Sequence, residues 1–347
     1  MGALGTEGTE GTEGTEGTEG KEGTVDAGRS GGSGRSGRSG RHIPETTIAR
    51  LRWRGMGELG VASATSYRTR SAEAEPHLGM PAPRLTLILG LAEPIGLRTG
   101  PPTGALDEDS GPTRQAERLM VSCVAGLHSG AVRLTLPRHQ DGLQLSLDPL
   151  RVRSLLGMPA AALPLHGEEP ESVLGPALRE LLERLGETVD LPAPQRSARR
   201  AEILRRWSHG RARSEAPADS RSDADAAIRP EVARAWRLIT ARRGDCRVGE
   251  VARHVLLSQR QLRTLMRAEL GIGPKTACRL ARFDHALERI VAGSDASLAG
   301  TAAACGYADH AHLDADFRAS TGLAPTDWLA AEGHHLDAGG HRNRPEA

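Results

Sequence analysis

The sequence is poor in aromatic residues and has no long apolar run. Only two Phe, two Tyr and four Trp occur in 347 residues, so any core must rest on Leu, Val, Ile and Ala. No stretch of about 18 apolar residues is present, which argues against a membrane-spanning helix. The N-terminus lacks the apolar segment of a secretory signal. The formal net charge is only +1, so the overall charge does not indicate a class of binding partner. Without an apolar run or a secretory signal, we expect a cytoplasmic protein with no membrane partner.

Cysteine and catalytic motifs are also scarce. The four cysteines are far apart in sequence: Cys123, Cys246, Cys278 and Cys305. Without a CxxC pair we expect reduced, buried thiols. His128, His139 and His166 are scattered, and no GxSxG, HExxH or phosphate-loop pattern appears. We therefore predict no catalytic residues, no metal, no cofactor and no enzyme.

Composition divides the chain into segments. Residues 5–20 repeat Gly-Thr-Glu, and residues 28–41 read "GRSGGSGRSGRSGR". Such segments cannot bury enough apolar area to offset their ordering entropy. We predict disordered tails and a polar linker around two domains. The predicted boundaries are a tail at 1–45, a domain at 46–207, a linker at 208–228, a second domain at 229–333 and a tail at 334–347.

The first domain should be β-rich and then helical. "RLTLILGL" (84–91), "AVRLTLP" (131–137) and "LQLSLDP" (143–149) alternate or run apolar between Gly and Pro, which is typical of strands. A small ligand-holding barrel and a dimerisation unit are both compatible with this pattern. A helical leucine stripe follows, which predicts either a dimer helix or an ordinary core face. Its members are Leu174, Leu178, Leu181 and Leu185.

The second domain is helical in pattern and internally repeated. A shift of 51 residues superposes several anchors, which indicates two similar units. The pairs are Ala252 with Ala303, Ser258 with Asp309, Leu262 with Leu313, Met266 with Phe317, Gly271 with Gly322, and Pro274 with Pro325. Ser258 and Asp309 are good helix N-caps. Each unit therefore predicts a short helix, a turn and a capped second helix, the helix-turn-helix arrangement.

At this point the sequence resembles a known family. "LSQRQLRTLMRAELGIGPKTACRLARFDHAL" and "SLAGTAAACGYADHAHLDADFRASTGLAPTDW" are similar to the C-terminal DNA-binding domain of AraC/XylS-family transcription regulators. The likeness covers about 230–332. More weakly, "RLTLILGL" and "LQLSLDPLRVRSLLGMPA" resemble sensor domains found in some members of this family. The resemblance implies an α+β two-domain regulator, with a β-rich sensor or dimerisation domain before an all-α double helix-turn-helix domain.

The resemblance assigns roles to residues of the first unit. On its second helix the exposed set is Gln259, Arg260, Arg263, Thr264 and Arg267, with base reading at Arg260, Arg263 and Thr264. Arginine bonds guanine O6 and N7 bidentately. Thr264 stands where the family usually carries arginine, which shifts specificity. Lys275, Arg279 and Arg282 are expected to contact phosphates. Such contacts position the domain on DNA without reading the base sequence.

The second unit has a different charge. Residues 229–290 carry fourteen basic and six acidic residues, a net charge of +8. Residues 291–335 carry one basic and six acidic residues, a net charge of −5. The matching reader positions are His310, Ala311, Asp314 and Ala315, with Asp314 and Asp316 expected to face phosphates with the wrong sign. We predict that the first unit provides most of the DNA affinity.

The segment "DHAHLDAD" also suggests a metal site. In a helix, however, His310 pairs in space with Asp314 and His312 with Asp316, so four ligands cannot converge on one ion. We assign Asp309 to the helix cap and predict no metal.

The sequence thus predicts a sequence-specific, ligand-responsive transcription regulator that binds double-stranded DNA. Two alternatives stay open: a protein-interaction adaptor with a degenerate second unit, and an enzyme with a DNA-targeting module. A small-molecule effector, a second copy of the chain and RNA polymerase are open as further partners.

Overall fold

The computed structural model describes most of the chain between residues 46 and 337. The described residues are 46–98, 117–164, 168, 175–214 and 228–337. The predicted tail at 1–45, Leu174, and parts of the predicted linker and C-terminal tail lie outside them. Among the described residues, no helix is both long and apolar enough to cross a membrane.

The first half consists of antiparallel strands. In chain order these are β1 (Thr46–Leu51), β2 (Val61–Arg70), β3 (Glu75–Gly79), β4 (Leu85–Gly90), β5 (Ile95–Arg98), β6 (Glu117–Met120), β7 (Cys123–Ala125), β8 (Val132–Leu136) and β9 (His139–Leu147). They form one sheet of order β1-β2-β9-β4-β7 and a second of order β3-β8-β5-β6. The three predicted strand segments are confirmed as β4, β8 and β9.

Leucine alternation explains why these segments are strands. In β4 every second residue is fully buried, namely Leu85, Leu87 and Leu89. Side chains alternate across a pleated strand, so these three face one core while Ile88 faces the other way. Ile88 packs with Ile95, Leu97 and other apolar side chains in a smaller separate core.

The helices follow the strands. They are α1 (Val152–Leu156), α2 (Pro176–Gly186), α3 (Ala193–Ser214), α4 (Pro230–Ala241), α5 (Val248–His254), α6 (Gln259–Leu270), α7 (Pro274–Ala292), α8 (Leu298–Ala304), α9 (His310–Thr321) and α10 (Pro325–Asp337). α3 continues to Ser214, into the range 208–228 that the sequence predicts as a linker. Likewise α10 continues into the predicted tail at 334–347 and ends at Asp337.

The leucine stripe on α2 is a core face. Leu178 and Leu185 are fully buried, and Leu181 is buried as well. All three belong to the main hydrophobic cluster together with strand and helix residues of the same half. Because this apolar stripe is buried inside the fold, it is not available for dimerisation.

A buried ion pair fixes α3 to the first sheet. Arg200 and Asp141 have fully buried side chains, and Arg200 Nη2 lies 2.7 Å from Asp141 Oδ1. Arg200 also donates to Thr188 Oγ1 at 2.9 Å and to Ser66 Oγ at 2.9 Å. The other carboxylate oxygen of Asp141 accepts from Arg68 Nε at 2.8 Å. Burial lowers the pKa of Arg200, although the hydrogen bond to Asp141 opposes that shift.

We name the described residues up to 214 the β half and residues 228–337 the helical half. The two halves share one core. The main hydrophobic cluster contains Val61 and Leu145 from the strands, Leu204 from α3, and Trp236 and Met266 from the helical half. These side chains are all buried. The linker therefore joins two halves that are packed together, and their apolar contacts are mutually dependent.

Polar contacts also cross between the halves near α10. Glu332 is buried, and its Oε2 lies 2.8 Å from His77 Nδ1. Its Oε1 accepts from the Leu78 backbone N–H at 2.9 Å. In addition, the Ala131 N–H donates to the Ser320 carbonyl at 2.6 Å. The second helix-turn-helix unit, α8 and α9, is thus held against the β half together with α10.

Candidate nucleic-acid interface

The first helix-turn-helix unit consists of α5, a turn and α6. Ser258 caps α6, because its Oγ accepts from the Gln261 N–H at 3.2 Å. Gln261 Oε1 accepts in return from the Ser258 N–H at 3.0 Å, which completes a capping box. Leu262 and Met266 are fully buried and fix the inner face of α6. The opposite face is left to solvent.

That outer face carries the predicted reader residues. All five side chains are exposed: Gln259, Arg260, Arg263, Thr264 and Arg267. The Thr264 hydroxyl donates to the Arg260 carbonyl at 3.1 Å, one turn earlier in the same helix. Thr264 therefore keeps only its acceptor capacity and its methyl group for a base. The arginines project from a helix whose other side is anchored in the core.

A depression lies beside α6, which we name the basic groove. Its volume is about 480 Å³, and its lining comes from α6 and from the first turns of α5 and α7. The lining residues are Val248, Gln259, Arg260, Arg263, Arg267, Gly273, Pro274, Lys275 and Thr276. They include four cations and no acid. The N-terminus of the long helix α7 adds partial positive charge, so the groove is suited to an anion.

Two predicted phosphate contacts are engaged inside the domain. Arg279 Nε donates to Asp316 Oδ1 at 2.5 Å, and its Nη2 donates to Ser320 Oγ at 3.1 Å. Arg282 Nη2 donates to the Gly244 carbonyl at 3.2 Å, and its guanidinium lies 5.6 Å from the centre of the Tyr307 ring. Lys275, in contrast, is exposed in the lining of the basic groove. Arg279 and Arg282 brace the two units against each other through these contacts, and their phosphate role stays a prediction.

In the second unit, α9 occupies the place of a reader helix. Asp309 caps it, since its Oδ1 accepts from the His312 N–H at 2.7 Å. Leu313 and Phe317 are fully buried. Phe317 packs on Phe283 and Trp328, with ring centres 5.2 and 5.7 Å apart. His310, Ala311 and Ala315 are exposed, and Asp314 is partly exposed.

The acids of α9 are used within the protein. Asp314 accepts from Arg318 Nε at 3.0 Å on the surface of the same helix. Asp316 accepts from the Tyr307 hydroxyl at 2.9 Å as well as from Arg279. Burial raises the pKa of Tyr307, and Asp316 raises it further. The Asp316 side chain is therefore held within this network, and the expectation that it faces or flanks phosphates stays a prediction.

These contacts also account for the histidines and acids of "DHAHLDAD". His312 packs edge-on against the Tyr307 ring at 5.2 Å. Within the part of the chain that the structure describes, no three His, Cys, Asp or Glu side chains are grouped to hold a metal ion.

The structure refines the internal repeat. Leu257 N–H donates to the Ala252 carbonyl, and Tyr307 N–H donates to the Ala302 carbonyl, so Ala252 corresponds to Ala302 and not to Ala303. Ala302 is buried whereas Ala303 is exposed. The first helices are thus 50 residues apart and the second helices 51. The turn of the second unit is one residue longer, at Ala308.

This alignment matches Leu256 with Gly306. Both have positive φ, 58° for Leu256 and 71° for Gly306. Leu256 is also 90% exposed. Leucine is strained in this conformation, at a cost of about 1 kcal/mol or more, and its exposed side chain recovers little by packing.

Replacing Leu256 by Gly should therefore stabilise the protein by about 1 kcal/mol, because it removes left-handed strain and little buried area. Urea unfolding of the full chain would measure this. Leu256→Ala is the matched control: it removes the same exposed side chain and keeps the strain, so it should give no comparable gain. A loss of stability in Leu256→Gly would show that the added freedom of glycine in the unfolded chain outweighs the relieved strain.

The sequence missed several features of this site. Val248 and Thr276 line the basic groove although no motif singled them out. Pro274 at the first position of α7 was the available signal, because it fixes where that helix and its free N–H groups begin. Cys246 is half-buried and not fully buried as expected, and its sulfur lies 3.6 Å from that of Cys278.

Comparisons with known proteins found a matching domain family and several similar solved structures. The family model described as a helix-turn-helix domain matches residues 251–331. No curated protein matches. Among solved structures, ToxT from Vibrio cholerae O395 is 8% identical, with a TM-score of 0.40, and covers 83% of this chain and 98% of its own. ToxT from strain SCE256 bound to an unsaturated fatty acid is 9% identical, with a TM-score of 0.43, and covers 85% and 97%.

The family match includes the end of α5, all of α6 to α9, and half of α10. The matched range contains the two capped helices and the glycine and proline that follow each of them. Residues 251–331 are therefore a helix-turn-helix domain of the AraC type.

Proposed function

We propose that this regulator reads the major groove of double-stranded DNA mainly through α6, and that it acts in the cytoplasm in response to a small molecule. The observation that carries the proposal is the contrast between the two reader helices. α6 exposes Arg260, Arg263 and Arg267 beside the acid-free basic groove. α9 exposes His310 and Ala311, and its Arg318 is paired with Asp314.

In this proposal the exposed residues of α6, together with Lys275 of α7, have two different roles. Arg260, Arg263 and Thr264 face base edges, where an arginine can bond guanine bidentately. Arg267 and Lys275 hold a backbone phosphate in the basic groove, supported by the N-terminus of α7. Gln259, at the start of α6, lines the same groove. Phosphate contacts would fix the register of α6, and the base contacts would give specificity.

The second unit has a positioning role in this proposal. α9 lacks unpaired cations among its described side chains, and the net charge of residues 291–335 is −5. Asp316 and Arg279 connect it to α7, the helix that follows the reader of the first unit. Its function would then be to brace the domain and to hold it on the β half through Ser320 and, via α10, Glu332.

Ligand response is supported by a cleft between the β half and the helical half. The cleft has a volume of about 730 Å³, within the range of small-molecule sites. Arg50 and Asp148 come from the β half, and Trp236, Arg243 and His285 from α4, its C-terminal turn and α7. A ligand that prefers one arrangement of these walls would change how α6 is presented. The effector, a homodimer and an RNA polymerase contact stay predictions.

The phosphate role of Lys275 has a direct test. Replacing Lys275 by Ala should reduce the slope of log affinity against log salt concentration by roughly one, because one counterion fewer is released. Affinity should fall to a similar extent for every DNA sequence. Fluorescence anisotropy at several salt concentrations would measure both. Arg184→Ala, on α2 outside the helical half, is a control that should leave the slope unchanged.

The same titration separates the regulator from the adaptor alternative. Specific binding with a steep salt dependence supports the regulator, whereas no DNA binding even at low salt favours the adaptor. A genomic footprint of the bound protein would supply the operator for these measurements.

A further inference from the structure

Two cysteines of the helical half lie in contact. Cys246 is in the turn between α4 and α5, and Cys278 is on α7. Their sulfur atoms are 3.6 Å apart. Cys278 is buried and Cys246 is half-buried. The two residues are 32 positions apart in sequence, so only the fold brings them together.

The turn that carries Cys246 is pressed closely against α7. Gly244 has a φ of 77°, and a Cβ there would lie 2.1 Å from the Cys278 carbonyl oxygen. Arg282 Nη2 donates to the Gly244 carbonyl at 3.2 Å, and the Cys246 N–H donates to the same carbonyl at 3.0 Å. The turn that carries Cys246 is therefore held against α7 through its backbone.

We propose that Cys246 and Cys278 are an oxidisable pair that a hydroperoxide converts into an intrachain disulfide. The Cys246 thiolate, which solvent reaches, attacks the peroxide oxygen and becomes a sulfenic acid, while the other peroxide oxygen leaves as water or alcohol. The Cys278 sulfur then attacks the Cys246 sulfur and displaces water. In sum, two thiols lose two hydrogens, and the hydroperoxide is reduced.

The surroundings make this reaction slow at neutral pH. Burial raises the pKa of Cys246, an effect that Asp245 and Glu250 reinforce and that Arg242 and the Cys278 hydrogen bond oppose. Burial raises the pKa of Cys278 to about 12, with Cys246 adding to the rise. Thiolates are the reactive species, so the pair should respond to sustained oxidant and not act as a rapid sensor.

The disulfide would join two walls of the basic groove. Cys246 lies two residues before Val248, and Cys278 lies two residues after Thr276; both Val248 and Thr276 line the groove. Closing the sulfur separation from 3.6 Å to about 2.05 Å requires a shift of the two side chains, of the turn that carries Cys246, or of both. Because cores are close-packed, we expect this shift to displace Lys275 and to weaken DNA binding. That last consequence rests on the proposed function, whereas the disulfide does not.

The test oxidises the full chain with hydrogen peroxide and maps its peptides under non-reducing conditions. A Cys246–Cys278 linked peptide should form, and Tm should rise by several degrees because the crosslink restricts the unfolded chain. Dithiothreitol should reverse both changes. Cys246→Ser should abolish both changes, whereas Cys305→Ser, at another buried thiol, should abolish neither. Recovery of Cys246 only as sulfinic acid, without the linked peptide, would overturn the proposal.

DNA affinity of the oxidised and reduced chain is measured on the operator in parallel. Weaker binding of the oxidised form, restored by dithiothreitol, supports the coupling to the groove. Equal affinities overturn that coupling. If the reduced chain binds no DNA, the proposed function is overturned. The disulfide proposal is unaffected by that result, because peptide mapping tests it independently.

Discussion

Replacing Arg263 by Ala should lower specific DNA affinity by about 1–3 kcal/mol, roughly 5- to 150-fold, with relaxed preference at one base pair. Arg263 is exposed on α6, whereas Leu262 and Met266 hold that helix in the core, so its loss removes a contact to DNA and disturbs little of the fold. Arg260→Ala should behave similarly at a neighbouring base pair. Competition binding against single-base variants of the operator measures both effects.

The repeat supplies a matched control for this experiment. Arg267 on α6 and Arg318 on α9 occupy the same position of their helices, and both are exposed. Arg267 lines the basic groove, whereas Arg318 is paired with Asp314. Arg267→Ala should therefore weaken binding to all sequences, and Arg318→Ala should change it little.

His310→Ala should likewise cost little affinity. Comparable losses from changes on α6 and on α9 would show that both helices contact DNA, and the proposed division between the units would fall.

Replacing Asp141 by Asn should destabilise the protein by about 3–5 kcal/mol, which is the largest effect on folding that we expect. The change leaves Arg200 fully buried without a counter-ion, and an uncompensated buried charge is costly. The Arg200 hydrogen bonds to Thr188 and Ser66 stay, but they do not replace the lost charge. Urea unfolding followed by circular dichroism, or a shift in Tm, measures the loss.

Glu202→Gln is the control on the same helix. Glu202 accepts from Arg205 and Arg206 at the surface of α3, where solvent screens the ion pairs. Its replacement should change stability little. If Asp141→Asn and Glu202→Gln cost the same, the buried pair does not stabilise the docking of α3.

Local patterns in the sequence predicted much of the fold. Leucine alternation identified β4 and β9, and Ser258 and Asp309 marked where the reader helices begin. The leucines of α2 were recognised as one face, although the sequence left open whether that face was core or dimer. These signals are local, because strand pleating and helix capping involve residues within a few positions of each other.

Contacts between distant positions were outside the reach of such patterns. Asp316 and Arg279 are 37 positions apart, and Arg200 and Asp141 are 59 apart. Sequence alone suggested that Asp316 and Arg279 were both exposed to DNA, one repelling it and one binding it. Only the structure shows that the two side chains are in contact and form an ion pair. The identity of the exposed α6 residues was predicted, whereas the shape of the basic groove was not.

Because the two halves share one core, this protein should be difficult to divide at the linker, both in the laboratory and in evolution. A helical half cut free at the linker would expose to water those apolar faces that it packs against the β half in the shared cluster. Such a fragment should precipitate unless those faces are redesigned. For the same reason a foreign sensor grafted at residue 228 would need to match this apolar surface, and recombination between relatives would tend to exchange both halves together.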